Sequence, residues 1–159
     1  MQIPGMQTPD VQTHSMQTFA TQTSATQVPV VQVPAQAVAT AVLIEVVRIS
    51  GLPAEPGAPY PGPTVGHWVG DVVADILTRI GELPRSEQHR CGFSPGWGIR
   101  AYDDSLDADH VLLEAAFCFS CHEVRMQGTV VPPALATQFF DTGASESQAL
   151  LARFRTVAS

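Results

Sequence analysis

Three cysteines and five histidines carry most of the chemistry open to this chain of 159 residues. Cys118 and Cys121 stand in the stretch FCFSCHEVR with His122 beside them, inside an otherwise strand-like apolar run. On a regular strand, side chains three apart point to opposite faces, so the two sulfurs meet only if the strand ends in a turn at Phe119 and Ser120. A C-x-x-C turn of that kind is half of a structural zinc site, where two thiolates approach a tetrahedral metal from one knuckle. The other half is sought among Cys91, His89, His110 and His122. Cys91 precedes a strand expected to pair with the one carrying Cys118, which would gather three sulfurs at one end of a sheet. The metal set read from the sequence is Cys91, Cys118 and Cys121 with one histidine, His89 and His122 being the candidates, and zinc is the only cofactor expected.

The same thiols admit two further readings. C-x-x-C lowers the pKa of one cysteine when it opens a helix after a strand, which would make a redox pair or a nucleophile with His122 or His89 as base. The residues after Cys121, HEVRMQGT, make a poor helix, so this reading rests on spacing alone. Alternatively, Cys118 and Cys121 are inert, reduced residues of a core strand, with Cys91 separate. Cysteine is among the most frequently buried residue types, and the run is apolar.

Other motifs rank below the thiols. His67 and Trp68, beside Gly66 and Gly70, could line a cleft, but an aromatic among glycines is more commonly a packing anchor. DDSLDAD, residues 103–109, lacks the central glycine and distal glutamate of an EF-hand loop, so a solvated hairpin turn is expected. CGFSPGWGIR has glycines without phosphate-loop spacing and no lysine, so no nucleotide site is read there.

The formal charge is −7, and all eight cations are arginines. Nucleic acid and anionic membrane both demand clustered positive charge, so neither is expected as a partner, whereas a protein partner is. MQIPGMQTPD lacks the basic and apolar regions of a secretory leader. The longest apolar stretch, Ala37 to Val47, is broken by Glu45 and is too short to cross a bilayer. A cytoplasmic location follows as the expectation, with thiols kept reduced and at least one of the three cysteines unpaired in any disulfide scheme.

Glutamine recurs at 2, 7, 12, 17, 22, 27 and 32, a strict spacing of five. That period matches neither the 3.6 of a helix nor the 2.0 of a strand, so no face of either element would collect the apolar residues. A pentapeptide solenoid would need a large apolar residue at the centre of each repeat and a small one two places before it. The chain offers Met, Met, Val, Met, Thr, Thr and Val at the first of these, and Pro, His, Phe and Ser at the second. Residues 1–36 are therefore expected to form a low-complexity, disordered tail. With Asp10 the only formal charge before Glu45, this tail is also neutral enough to favour weak self-association.

Residues 38–159 are expected to form a single α+β domain. AVLIEVVRIS reads as a strand, GLPAEPGAPYPGP as a rigid surface loop with five prolines, and TVGHWVG as a short second strand. DVVADILTRIGELP carries one broad apolar stripe, with Asp71 placed to cap a helix and Pro84 to stop it. GWGIRAYD and HVLLEAAFCFSC read as antiparallel strands sharing an acidic turn, followed by short strands in HEVRMQ and LATQFFD around a bend at Pro132 and Pro133. Ser145 and Gln148 have capping-box spacing before a closing helix. The expectation is an antiparallel sheet of about four to five strands with two helices on one face.

CGFSPGWGIRAYD, LLEAAFCFSCHEVR and SQALLARFR together resemble a group of small bacterial proteins of unknown function. In that group a cysteine leads a Pro-x-x-Gly-(Ile/Leu)-Arg strand, a later strand ends in Cys-(Phe/Trp)-x-Cys, and a helix closes the chain. The matching residues are Cys91, Pro95, Gly98, Ile99, Arg100, Cys118, Phe119 and Cys121. Cys91 lies four residues before Pro95, one more than the pattern has. The resemblance implies grouped cysteines and names no activity; the arginine-only, Ala/Gly/Pro-rich composition suggests a GC-rich bacterial gene. The function expected is a small non-catalytic accessory or interaction module with a structural zinc, the alternative being a thiol-dependent enzyme.

Overall fold

The computed structural model describes Gly5 and residues 27–159. Six strands run through it: β1 Leu43–Arg48, β2 Thr64–Val69, β3 Trp97–Tyr102, β4 Leu113–Cys118, β5 Glu123–Gln127 and β6 Thr137–Phe139. They form one sheet in the order β2-β1-β3-β4-β5-β6, every neighbouring pair antiparallel. Three helices accompany it: α1 Ala35–Thr40, α2 Asp71–Ile80 and α3 Ser145–Val157. The α+β class and the antiparallel sheet are as expected, with one strand and one helix beyond the expected number.

The period of two sorts each strand between two environments. Ile44, Val46, Ile99, Ala101, Leu113, Ala115, Phe117, Val124 and Met126 point to one face. The helices cover that face with Val73, Ile76, Leu77 and Ile80 of α2, Leu150 and Phe154 of α3, and Ala37 of α1. Phe154 is the aromatic hub: its ring lies 5.5 Å from Trp97, 5.6 Å from Phe117 and 5.8 Å from Trp68, centroid to centroid. Trp68 is thus a packing anchor, while His67 next to it is exposed. The other face carries a smaller apolar cluster of Val47, Ile49, Tyr60, Phe93, Ala116, Cys118 and Cys121, under the proline-rich loop 51–63.

Both expected helix caps are displaced. Gly70, at φ 67°, takes the N-cap position of α2, so Asp71 sits in the first turn, where its carboxylate still meets the positive end of the helix dipole. At α3 the N-cap is Ala144, and Ser145 is already helical. The capping box cannot form in that register; Gln148 Nε2 instead donates to Thr142 O at 2.6 Å, and Ser147 Oγ to Asp141 O at 2.6 Å.

The expected boundary near residue 38 moves toward the N-terminus. Val31 is 1% exposed and belongs to the main core. Its N–H donates to Leu83 O, and α1 begins inside what the composition marks as tail. A buried valine and satisfied backbone groups outweigh the low-complexity composition here. The expected disorder of the earlier repeats falls on residues 1–4 and 6–26, outside the described residues. Among the described residues no helix is long and apolar enough to cross a membrane.

Gly128 ends β5 at φ 138°, and a Cβ there would land on the Leu112 carbonyl. Gly128→Ala should destabilise the fold by about 1–3 kcal/mol or more, the cost of a strained backbone position plus the clash. Denaturant unfolding checks this, and a change within about 0.5 kcal/mol would refute it.

Candidate functional site

Five residues stand directly opposite one another across five strands: His67, Glu45, Arg100, Glu114 and Gln127. Each lies one residue along from a core-facing position, so parity places the whole row on the face without helices. Arg100 Nε donates to Glu114 Oε1 at 2.9 Å, and Nη2 donates to Tyr60 O at 2.6 Å. Glu114 is 5% exposed; its Oε1 also accepts the Tyr60 N–H at 3.0 Å, and Oε2 accepts from Gln127 Nε2 at 2.6 Å. Gln127 Nε2 donates as well to Ala58 O at 2.8 Å. The inner half of the row thereby pins the backbone of the proline-rich loop to the sheet. Among the described residues no buried side-chain polar atom lacks a partner.

Glu45, Arg100, Glu114 and Gln127 of the row line a cleft of about 840 Å³, together with Gly57 and Pro59 of the loop and with Asp109 and Thr129. Glu45 enters it with a side chain 26% exposed; its Oε2 accepts from Tyr102 OH at 2.9 Å and lies 4.0 Å from Arg100 Nη1. Asp109, exposed in the same lining, adds a second carboxylate. Arg100 and Glu114 neutralise each other in a close pair, leaving Glu45 and Asp109 as the charges presented to a ligand. Tyr102 is kept neutral: burial, reinforced by the hydrogen bond to Glu45, pushes its pKa up to about 12. The cleft offers anionic and hydroxyl acceptors, with no cysteine, serine or histidine along its lining.

The thiols lie elsewhere on the same face. Cys118 ends β4 and Cys121 sits in the turn to β5, so the expected turn at Phe119 and Ser120 forms and brings the two together as a disulfide. Cys118 is 0% and Cys121 1% exposed, both inside the smaller apolar cluster. His122 closes the turn at φ 59°, its Nδ1 3.1 Å from Thr142 Oγ1, and its ring stacks on His89 at 4.0 Å between centroids. Cys91 is free and exposed. Of the five expected ligands, Cys118 and Cys121 are bonded to each other, His89 and His122 pack together, and Cys91 stands apart from the pair. Among the described residues no three His, Cys, Asp or Glu side chains are grouped to hold a metal ion. The acidic loop 103–109 is closed by its own bonds, Ser105 N–H to Asp103 Oδ1 and Asp109 N–H to Asp107 Oδ1, with His110 Nδ1 2.7 Å from Asp107 Oδ2.

The sequence assigned no site role to Glu45, Arg100, Tyr102, Glu114 or Gln127, Arg100 entering only through the resemblance. A signal was present: Glu45, Arg100 and Glu114 are single charges, each in the middle of an apolar strand-like run. Charges placed so rarely survive in a sheet unless they pair across it.

Two outcomes are expected from this geometry. Alkylation of the native, unreduced protein should label Cys91 alone, Cys118 and Cys121 becoming reactive only after reduction and unfolding; rapid native labelling at either would contradict the buried bond. Tyr102 has a folded pKa above its unfolded value of about 10, so its contribution to stability is complete below pH 10 and is lost as pH rises toward about 12. Tyr102→Phe should flatten this alkaline decline, leaving the part due to Tyr60, whose pKa burial also raises. Unfolding free energies across that pH range check the difference. No protein-family model, curated protein or solved structure matches this chain, so a functional reading stands on the geometry of the cleft.

Proposed function

We propose that this chain is a small non-catalytic binding module whose ligand is a basic side chain of a protein partner, received in the acidic cleft. The observation that carries this reading is the pair Glu45 and Asp109 facing one cleft beside a neutral Tyr102, on a row whose inner charges already satisfy one another. A guanidinium or ammonium group entering there would gain charge-assisted hydrogen bonds from carboxylates that a rigid sheet holds in place. The net charge of −7 supports the same polarity of partner, since a long-range negative field raises encounter rates with basic surfaces. Arg100 and Glu114 act as positioning residues, holding the loop that forms one wall.

The thiol-dependent alternative draws less support. Exchange or nucleophilic attack needs a sulfur that a reactant can reach, and both sulfurs of the C-x-x-C pair are buried. A zinc ion on Cys91, Cys118 and Cys121 with His89 or His122 would require the Cys118–Cys121 bond to be reduced first.

A hexa-arginine peptide titrated into the protein at low salt should bind saturably and weaken as salt is raised. Glu45→Gln should weaken it about tenfold, the loss of one charge-assisted contact, whereas Glu87→Gln, at an exposed acid away from the cleft, should leave it unchanged. Equal effects from the two variants would mean diffuse attraction to an acidic protein and would overturn the cleft as the site.

A further inference from the structure

The last repeat of the N-terminal series, VQVPA at 31–35, is held as a peptide ligand is held. The Val31 N–H donates to Leu83 O at 2.9 Å, and the two residues preceding the repeat pair alongside, Pro29 O accepting the Arg85 N–H at 2.8 Å and Val30 bridging Pro84 in antiparallel fashion. The first residue of the repeat, Val31, fills a core position, and the fourth, Pro34, is buried. At the second residue, Gln32, the backbone is gripped at both ends by one side chain. The Gln32 N–H donates to Gln138 Oε1 at 2.8 Å, and Gln138 Nε2 donates to Gln32 O at 2.9 Å. Gln138 is 1% exposed, and its Nε2 also donates to Leu135 O at 3.1 Å, which fixes the amide in place. A buried amide spent on another segment's main chain, flanked by an apolar pocket and a proline seat, is the pattern of strand-addition peptide recognition.

The seat asks for an apolar side chain at the first position of the repeat, a free backbone at the second and proline at the fourth. MQIPG at 1–5 and MQTPD at 6–10 meet all three demands, methionine being a flexible apolar filler. TQVPV at 26–30 has the proline but a threonine first, and the repeats at 11–15, 16–20 and 21–25 lack the proline. We infer that the seat formed by Leu83 and Gln138 recognises this repeat as a class, and that the MQIPG–MQTPD segment of a second copy exchanges with Val31–Ala35 to link chains. Exchange of one repeat for another of the same pattern needs no new surface, because each chain carries both the seat and several ligands for it. The chain's own repeat is tethered next to the seat and holds the advantage at low concentration; the second copy competes as concentration rises. This goes beyond the cleft reading and uses none of its residues.

The test is the association state of the full chain by sedimentation velocity over a wide concentration range. The wild type should form reversible dimers and higher species as concentration rises, and a free peptide of residues 1–10 should dissociate them. Met6→Asp with Met1 followed by Gln2→Pro, which spoil the incoming repeats and leave the seat untouched, should weaken association about tenfold or more. Val31→Thr, a near-isosteric change that weakens only the chain's own occupant, should strengthen it. A wild type that stays monomeric throughout would overturn the proposal, as would association that both kinds of variant weaken alike, which marks a merely sticky tail.

Discussion

The Arg100–Glu114 pair is the constraint around which the helix-free face is organised. Both groups are largely withdrawn from water, so each depends on the other and on its remaining hydrogen bonds to offset the cost of desolvation. Those remaining bonds go to Tyr60 and, through Gln127, to Ala58, all in a loop that its prolines prevent from forming a helix or a ladder of its own. Tyr60 of that loop, with Phe93, packs in one apolar cluster with Val47, Ile49, Ala116 and the two bonded cysteines. One ion pair in the middle of the sheet therefore decides whether the second face is a covered surface or an exposed apolar one.

This arrangement divides the sheet's labour. The helical face is an ordinary apolar core with an aromatic hub at Phe154, and its contacts are interchangeable in kind if not in shape. The opposite face specifies position through hydrogen bonds, which are directional, so the acceptors left over at its edge are held in a defined geometry. Glu45 on β1 and Tyr102 on β3 make no bond to the loop and are hydrogen-bonded to each other instead.

The cysteine cluster shows how spacing can imply a turn without naming what the sulfurs meet there. The two-residue interval correctly implies a turn at the end of β4, because only a turn lets residues 118 and 121 meet. It carries no information on whether the sulfurs then meet a metal or each other. Nor could it place Cys91, since the segment between α2 and β3 has no period to orient it, and pairing of β3 with β4 brings Trp97 rather than Cys91 opposite β4.

The sequence by itself determined the alternation of apolar residues in β1, β3 and β4, the stripe of α2 and α3 and the breaks at the proline-rich loop. These are local periodicities that each element carries within its own residues, and from them the α+β class and most of the strand order along the chain follow. Only the tertiary structure decided what depends on register between distant segments. Glu45, Arg100, Glu114 and Gln127 become a row when four strands align, although they span residues 45 to 127. Likewise, VQVPA becomes part of the core because Gln138, 106 residues beyond Gln32, offers its amide to that backbone. Composition averages over a segment and marks it as tail; a buried pocket acts on a single side chain and a single peptide group, and no average contains that.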